Sequence, residues 1–357
     1  MKAVNTLASP GRGGHIYSMK AAETAYECRE LAAQLFGMPD PSNVIITSNA
    51  THGLNIAIKA LAGHGTRALV SGYEHNSVMR PLRAAGAEII IARSELFEPE
   101  MVVFEFERWL ETERISLAVV THMSNVFGYI LPVERVAALC RACGVPLIVD
   151  ASQSAGSLDI DFDSLGAEFI AMPGHKGLYG TQGTGMLLCA PGINVTATAL
   201  LHGGSGGNSS ADTMPDFLPD GLEAGTHNMP GIAGLREGLE FVLRRKPKNI
   251  LAHAKRLITL AARELAVIPS VRVFTGAHSY CHGGVLSFQV QNIDCEAAAE
   301  QLSQSGFAVR AGLHCAPEAH RTAGTYTHGT VRLSVSCFNT EREILRFAEA
   351  VKTMSSG

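Results

Sequence analysis

The residue types most able to do chemistry lie in the stretch Met172-Pro-Gly-His175-Lys176-Gly-Leu-Tyr-Gly-Thr-Gln-Gly-Thr-Gly185. Lys176 stands among glycines, beside a histidine and directly after the apolar run Phe169-Ile-Ala-Met172. An ammonium at the end of a buried strand is costly to desolvate, so its pKa falls and its amine becomes a nucleophile suited to Schiff-base chemistry. A lysine that grips phosphate, or merely sits exposed in a loop, fits this stretch alone equally well. Other residues narrow the choice: Asp150 and Gln153 follow one apolar run, Asn125 a second and Glu74-His75 a third. Ser48-Asn49-Ala50 opens a helical pattern at Thr51, and such a start offers N–H groups and a dipole to an anion, although Asn49 or Thr51 could equally be a simple N-cap.

The elements that must carry these residues follow from periodicity. Apolar runs at 43–47, 68–71, 88–92, 117–122 and 146–149 read as strands. They alternate with helical patterns at 20–36, 51–61, 77–85, 104–112 and 133–143. The alternation predicts an α/β fold: a large domain with a mostly parallel sheet covered by helices, in which ligands bind beyond the carboxyl ends of the strands. The functional candidates stand at such ends. A helical pattern at 231–243 ends in Arg244-Arg245-Lys246, a solvated helix terminus, and the domain boundary is placed there. Helices at 250–266, 295–305 and 340–353 with strands at 271–274, 284–290, 307–310 and 330–335 then predict a smaller α+β carboxyl-terminal domain. The division is an amino-terminal arm at 1–19, carrying the cation Arg12, a large domain at 20–245 and a small domain at 246–357. His202 to Ser210, rich in glycine, reads as a surface loop.

The 357 residues, 46% apolar with 36 glycines, suit a soluble enzyme, and a net charge of −4 with interspersed signs gives no nucleic-acid footprint or membrane-binding patch. The opening residues lack a signal-peptide core and no window matches a membrane span, so a cytoplasmic protein is expected. Eight cysteines spread through such a chain read as free thiols. Cys140 and Cys143 are helix packing residues, and His278, Cys281 and His282 lie in a turn entering a strand; no metal site is expected.

Together Asp150, Lys176, His75 and Thr51 are the parts that hold pyridoxal phosphate, with an acid for the pyridine nitrogen, an amine, a ring to stack and an anion cup. In this order the motifs resemble those of the cysteine desulfurases of the class V aminotransferase family, fold-type I pyridoxal-phosphate enzymes. The resemblance runs from about His15 to the carboxyl terminus. Thr47-Ser-Asn-Ala-Thr-His-Gly-Leu-Asn55 is similar to the phosphate-binding turn, which makes Ala50 and Thr51 phosphate donors. Glu74-His75-Asn-Ser77 resembles the Glu-His motif whose histidine stacks on the ring and acts in proton transfer. Thr121 to Gly128 carries Asn125, implied to lie near the cofactor and the substrate carboxylate. Val149-Asp150-Ala-Ser-Gln153 supplies the pyridinium partner and a bond to the phenolic oxygen. Pro173-Gly-His175-Lys176 resembles a Ser-Gly-His-Lys block in which histidine binds phosphate; Pro173 replaces the serine and can donate neither hydroxyl nor N–H. Glu223-Ala-Gly-Thr226 resembles the segment that reaches the phosphate of a second subunit, so a homodimer with shared sites is implied.

At the substrate end, Val309-Arg310-Ala-Gly-Leu-His314-Cys315-Ala-Pro317 resembles the cysteine loop of the second desulfurase group. Val331-Arg332-Leu-Ser resembles the strand whose arginine grips a substrate carboxylate. The resemblance implies conversion of L-cysteine to L-alanine, with Arg332 and Arg310 at the substrate, Cys315 receiving sulfur as a persulfide, and an acceptor protein or thiol removing it. Selenocysteine lyase or cysteine and cystine β-lyase activity is the alternative on the same fold, and a non-catalytic cofactor-binding scaffold a more distant one. The family's opening Asp-Asn-Ala-Ala-Thr segment is not found ahead of Gly11, which leaves truncation, a shortened enzyme or altered specificity open.

Overall fold

The computed structural model describes residues 2–10, 14–205 and 210–356, with only the backbone at positions 2, 279 and 356. Arg12 and the middle of the glycine-rich loop, 206–209, lie outside the described residues.

Seven strands form the large sheet: β1 (Val44–Thr47), β2 (Arg67–Ser71), β3 (Glu88–Ala92), β4 (Leu117–Thr121), β5 (Leu147–Asp150), β6 (Phe169–Pro173) and β7 (Gly185–Cys189). Their spatial order is β1-β7-β6-β5-β4-β2-β3. β7 runs antiparallel to both of its neighbours, and the β2–β3, β2–β4, β4–β5 and β5–β6 pairs are parallel. β4, β5, β6 and β7 are buried at every position, as continuous apolar runs in a sheet covered on both faces must be. Alternation along a strand divides its side chains between the covering layers: Ala118 and Val120 join the core under the helices Ile16–Phe36, Val133–Ala142 and Met229–Arg245, whereas Val119 joins the core under the helices Ala50–Leu61 and Asn76–Ala84.

A second, antiparallel sheet comprises β8 (Val271–Phe274), β9 (Val285–Val290), β10 (Arg310–Gly312) and β11 (Thr330–Ser334), in the order β10-β11-β9-β8. It packs through Leu286, Phe288 and Val331 on the helices Pro247–Ala266, Cys295–Gln304 and Glu341–Ser356.

Three expectations are corrected. The first 19 residues are not simply an irregular arm: Lys2–Thr6 is helical, and the first long helix starts at Ile16 because the His15 side chain accepts from Ser18 N and caps it. The apolar run 307–310 is not a strand; Phe307 and Val309 pack on the small core from a loop, and the ladder begins at Arg310. β7, absent from the periodicity reading, follows immediately on the glycine-rich lysine loop.

Candidate active site

The carboxyl ends of β2, β4, β5 and β6 form the floor of the site. Asp150 ends β5 and is 2% exposed, and its Oδ1 accepts from Ser152 N at 2.9 Å. Lys176 emerges just beyond β6. Its side chain is reachable by water yet crowded by protein, and burial is the first cause of its lowered pKa; Asp150 opposes the shift, while Arg332 and Arg310 add to it. The lysine loop is held by close backbone approach. Gly156, at φ +83°, and Gly177 lie so near each other's segments that a Cβ on either would strike a carbonyl oxygen of the other segment. Gly238 of the helix Met229–Arg245 presses on the Leu178 carbonyl in the same way.

The anion cup is the start of the helix Ala50–Leu61, capped by Asn49 Oδ1 accepting from His52 N at 2.9 Å. Thr51 Oγ1 lies 2.8 Å from Ser77 Oγ. His75 caps the next helix: its Nδ1 accepts from Ser77 N at 3.0 Å and lies 2.9 Å from Ser77 Oγ, which fixes the ring. Burial lowers its pKa, Asp150 opposing, so the imidazole is neutral near pH 7. A recess of about 380 Å³ opens here, and Thr51, His75, Ser77 and Cys315 are among its walls.

The smaller sheet supplies the opposite wall. Arg310 on β10 pairs in register with Arg332 on β11, so two guanidiniums share one face. Arg332 Nη1 donates to Asn125 O at 2.9 Å, its Nε is buried with no partner among the described residues, and its pKa is pulled down to about 10, first by burial and then by Arg310. Arg310 Nη2 donates to Cys315 Sγ at 3.4 Å. Among the described residues neither arginine has an ion-pair partner. They form a cationic pocket without a carboxylate.

Cys315 is exposed on a loop that adopts left-handed backbone at two consecutive non-glycine residues, His314 (φ +51°) and Cys315 (φ +59°). Each such residue costs about 1–2 kcal/mol, and the loop is clasped accordingly. Asn76 N donates to Cys315 O at 2.8 Å, Asn125 Nδ2 to His314 O at 2.8 Å, and Thr322 Oγ1 to Gly72 O at 2.9 Å. One N–H of the Asn125 amide thus positions the cysteine loop. His314, adjacent to Cys315 in sequence, turns inward: its Nε2 lies 3.1 Å from Thr330 O and its pKa is pushed down to about 3, first by burial. Arg310, not His314, is the polar group at the thiol.

The structure therefore brings Thr51, His75 and Cys315 to the walls of one recess, and places Asp150, Lys176, Arg310 and Arg332 near enough for their charges to act on His75 or on one another. Ala50 lies at the cup, Gln153 is half-buried in the turn after Asp150, and His175 is exposed beside Lys176. Thr226 stands apart, lining a separate small cavity of about 170 Å³ with Thr47, His52 and Glu223. Pro173 is the last residue of β6, paired with Gly185, and buried. Two features escaped the sequence reading. The Glu223 carboxylate, which anchors the loop to Thr226, pairs with Arg29 at 2.7 Å and accepts from Ile46 N at 2.6 Å; a link between residues 194 positions apart leaves no local signal. Glu74, seen only as the neighbour of His75, is fully buried beneath the site.

A doubly covered sheet with a lysine just past one strand end, a buried aspartate at the end of the next and a helix start suited to an anion is the architecture of an α/β enzyme whose site lies beyond the strand ends. The chain belongs to the class-V aminotransferase family, whose model matches residues 3–347. A probable cysteine desulfurase of Methanothermobacter thermautotrophicus is 30% identical over 98% of this chain and 88% of its own length. One from Mycolicibacterium paratuberculosis is 31% identical over 97% of this chain, which spans 51% of that relative. Among solved structures, the apo cysteine desulfurase of Thermococcus onnurineus superposes with a TM-score of 0.89 at 28% identity, covering 98% of this chain and 88% of that one. The Escherichia coli cysteine desulfurase CsdA gives 0.86 at 25% identity over 99% and 89%.

Proposed function

We propose that the chain is a pyridoxal 5'-phosphate-dependent L-cysteine desulfurase. The observation that carries this reading is the exposed Cys315 thiol under the Arg310 guanidinium, on a loop clasped onto the strand ends that bear His75 and Asn125 and beside the unpaired Arg332. The residues fit the cofactor. Asp150 is a buried carboxylate whose hydrogen bond, among the described residues, goes to a backbone N–H. Lys176 has a reachable amine, and Ala50, Thr51 and His175 are suited to a phosphate.

Lys176 would anchor the cofactor, Asp150 face its ring nitrogen, Gln153 its phenolic oxygen and His75 its plane. When bound, pyridoxal phosphate withdraws electrons from the α-carbon of an amino acid. Arg332 grips the substrate carboxylate with its free donors, and Lys176 and the neutral His75 move protons at the α- and β-carbons. Cys315 attacks the substrate sulfur: an S–S bond forms, the C–S bond breaks, and the β-carbon gains a proton. L-Cysteine and the thiol thus become L-alanine and a Cys315 persulfide, from which an acceptor protein or thiol removes the sulfur. The reading includes a homodimer in which Thr226 serves a second subunit's site, supported by its separation from Lys176 here, and a boundary between large and small domains at 245/246. Eight free cysteines suit a reducing, cytoplasmic setting. Among the described residues no helix is long and apolar enough to cross a membrane.

Incubation with L-cysteine and a reductant should give sulfide and alanine in equal amounts. Pyruvate and ammonia in their place would show β-elimination and reject desulfuration. Cys315→Ala should abolish alanine formation from cysteine; full retention would remove the thiol from the mechanism.

A further inference from the structure

Glu74 has no role in the reaction as described, yet it is 0% exposed and lies directly beneath the site. Its Oε1 accepts two hydrogen bonds, from Ser71 Oγ at 2.5 Å and from Thr121 N at 2.8 Å. Ser71 ends β2 and Thr121 ends β4, neighbours in the sheet whose register stops at Val70 and Val119, one residue short of Ser71 and two short of Thr121. The chain segments that leave these two ends carry His75 and Asn125. Glu74 therefore closes the gap at which the two strands would otherwise part.

We infer that Glu74 is a positioning residue for the proposed reaction: its carboxyl clips the ends of β2 and β4 together and so fixes the His75 ring and Asn125 against Asp150 and Lys176. The inference rests on the function proposed above only for what the positioned groups then do. A second observation concerns the form of the carboxyl. Oε2 is buried with no hydrogen-bond partner among the described residues, and no cation pairs with the group. Burial first, with Asp150 adding, raises its pKa to about 8 against the opposing bonds from Ser71 and Thr121. The carboxyl is thus held largely neutral near pH 7, with Oε1 accepting both bonds. A neutral amide of the same shape can accept the same two bonds.

The test compares Glu74→Gln with Glu74→Ala. Three quantities are read: the titration of the His75 imidazole by NMR of histidine-labelled protein, the affinity of the apoprotein for pyridoxal phosphate, and kcat and KM on L-cysteine. Gln should match the parent in all three. Ala should weaken cofactor binding about tenfold or more, as expected for a lost buried hydrogen-bonded clip, return the His75 titration toward the ordinary histidine range, and lower kcat more than it raises KM. Gln as defective as Ala would show that the charge matters and overturn the inference, as would Ala leaving both His75 and cofactor affinity unchanged. Should Glu74→Ala not fold, Ser71→Ala removes one of the two bonds; an unmoved His75 titration in that variant overturns the inference too. If the parent makes no alanine from cysteine, the proposed function fails, while the His75 titration and cofactor affinity still decide the role of Glu74.

Discussion

The cationic pocket of Arg310 and Arg332 holds two guanidiniums together with no carboxylate to balance them. Such an arrangement is tolerable when an anion arrives, and Arg332 is the better placed to grip it because its Nε is buried and unspent. Replacing Arg332 with Ala should raise KM for L-cysteine on the order of tenfold to a hundredfold, the range for a charge-assisted hydrogen bond, as measured by steady-state kinetics. The Arg332→Lys variant should recover little, since an ammonium lacks the fork. Arg310 has a different task at its present position. Its hydrogen bond to Cys315 Sγ sets the position of the sulfur, so Arg310→Ala should lower kcat for alanine formation from L-cysteine more than it raises KM, read by steady-state kinetics. Lys176 and Asp150 could be picked out in the sequence because each follows a strong apolar run, whereas Arg332, in the middle of β11, and Cys315 were picked out by resemblance to family motifs. The inward turn of His314 and the bond from the Asn125 amide to its carbonyl were not. The first depends on a contact with Thr330, 16 positions on, and the second on one between residues 189 positions apart, and no pattern of neighbours encodes them.

Among the elements, the lysine loop and the segment after β5 interlock through Gly156 and Gly177. Gly156→Ala would place a Cβ against the Gly177 carbonyl at a left-handed position. It should cost about 2 kcal/mol or more, seen as a lower urea midpoint, and displace Lys176 enough to weaken cofactor binding. The Arg29–Glu223 pair plays a comparable part at a greater distance. Arg29, from the helix Ile16–Phe36, also donates to Val44 O of β1, so a single guanidinium joins the first long helix, the edge strand and the loop leading to Thr226. Arg29→Met would leave the buried Glu223 carboxylate with only Ile46 N and the His227 ring, at 3.2 Å, as partners among the described residues, with an expected loss of about 3 kcal/mol in urea unfolding. The strands at the site end were readable because buried parallel strands are continuous apolar runs, Leu117–Thr121 and Phe169–Pro173 among them. β7 escaped because its apolar run follows hard on the glycine-rich loop 174–184, whose composition masks the start of the strand. Phe307 and Val309 misled in the opposite sense: they are apolar for the sake of the small core, not for a ladder.

For the whole molecule, groups buried in the form opposite to their ordinary charge set the pH response. His122, His314 and His320 are pushed down to about 4, 3 and 4, in each case first by burial. They remain neutral in the fold but take up protons below their ordinary 6.5 when unfolded, so stability falls as the pH drops below 6.5. Glu74, raised to about 8, keeps in the fold a proton that it loses near its ordinary 4.5 when unfolded, so its effect is a loss of stability as pH rises from 4.5 to 8. Each group contributes a slope of about 1.4 kcal/mol per pH unit in its window. Three histidines outweigh one glutamate below 6.5, and Glu74 alone of these four acts above it. Urea unfolding should therefore show maximal stability near pH 6.5, with a decline toward pH 8 that Glu74→Gln abolishes. A final consequence concerns the order in which the chain is made. β1 pairs with β7 alone, and Asn43 at its start donates to Cys189 across 146 residues of chain. The helix that opens at the anion cup rests through Gly53 on Ala171 of β6 and Leu187 of β7. At about 5–20 residues per second of synthesis, the first strand waits on the order of ten seconds for its only neighbour. A chain stopped before residue 185 would hold every residue of the cup but only the β6 part of the surface on which its helix rests, and β1 would have no strand to pair with.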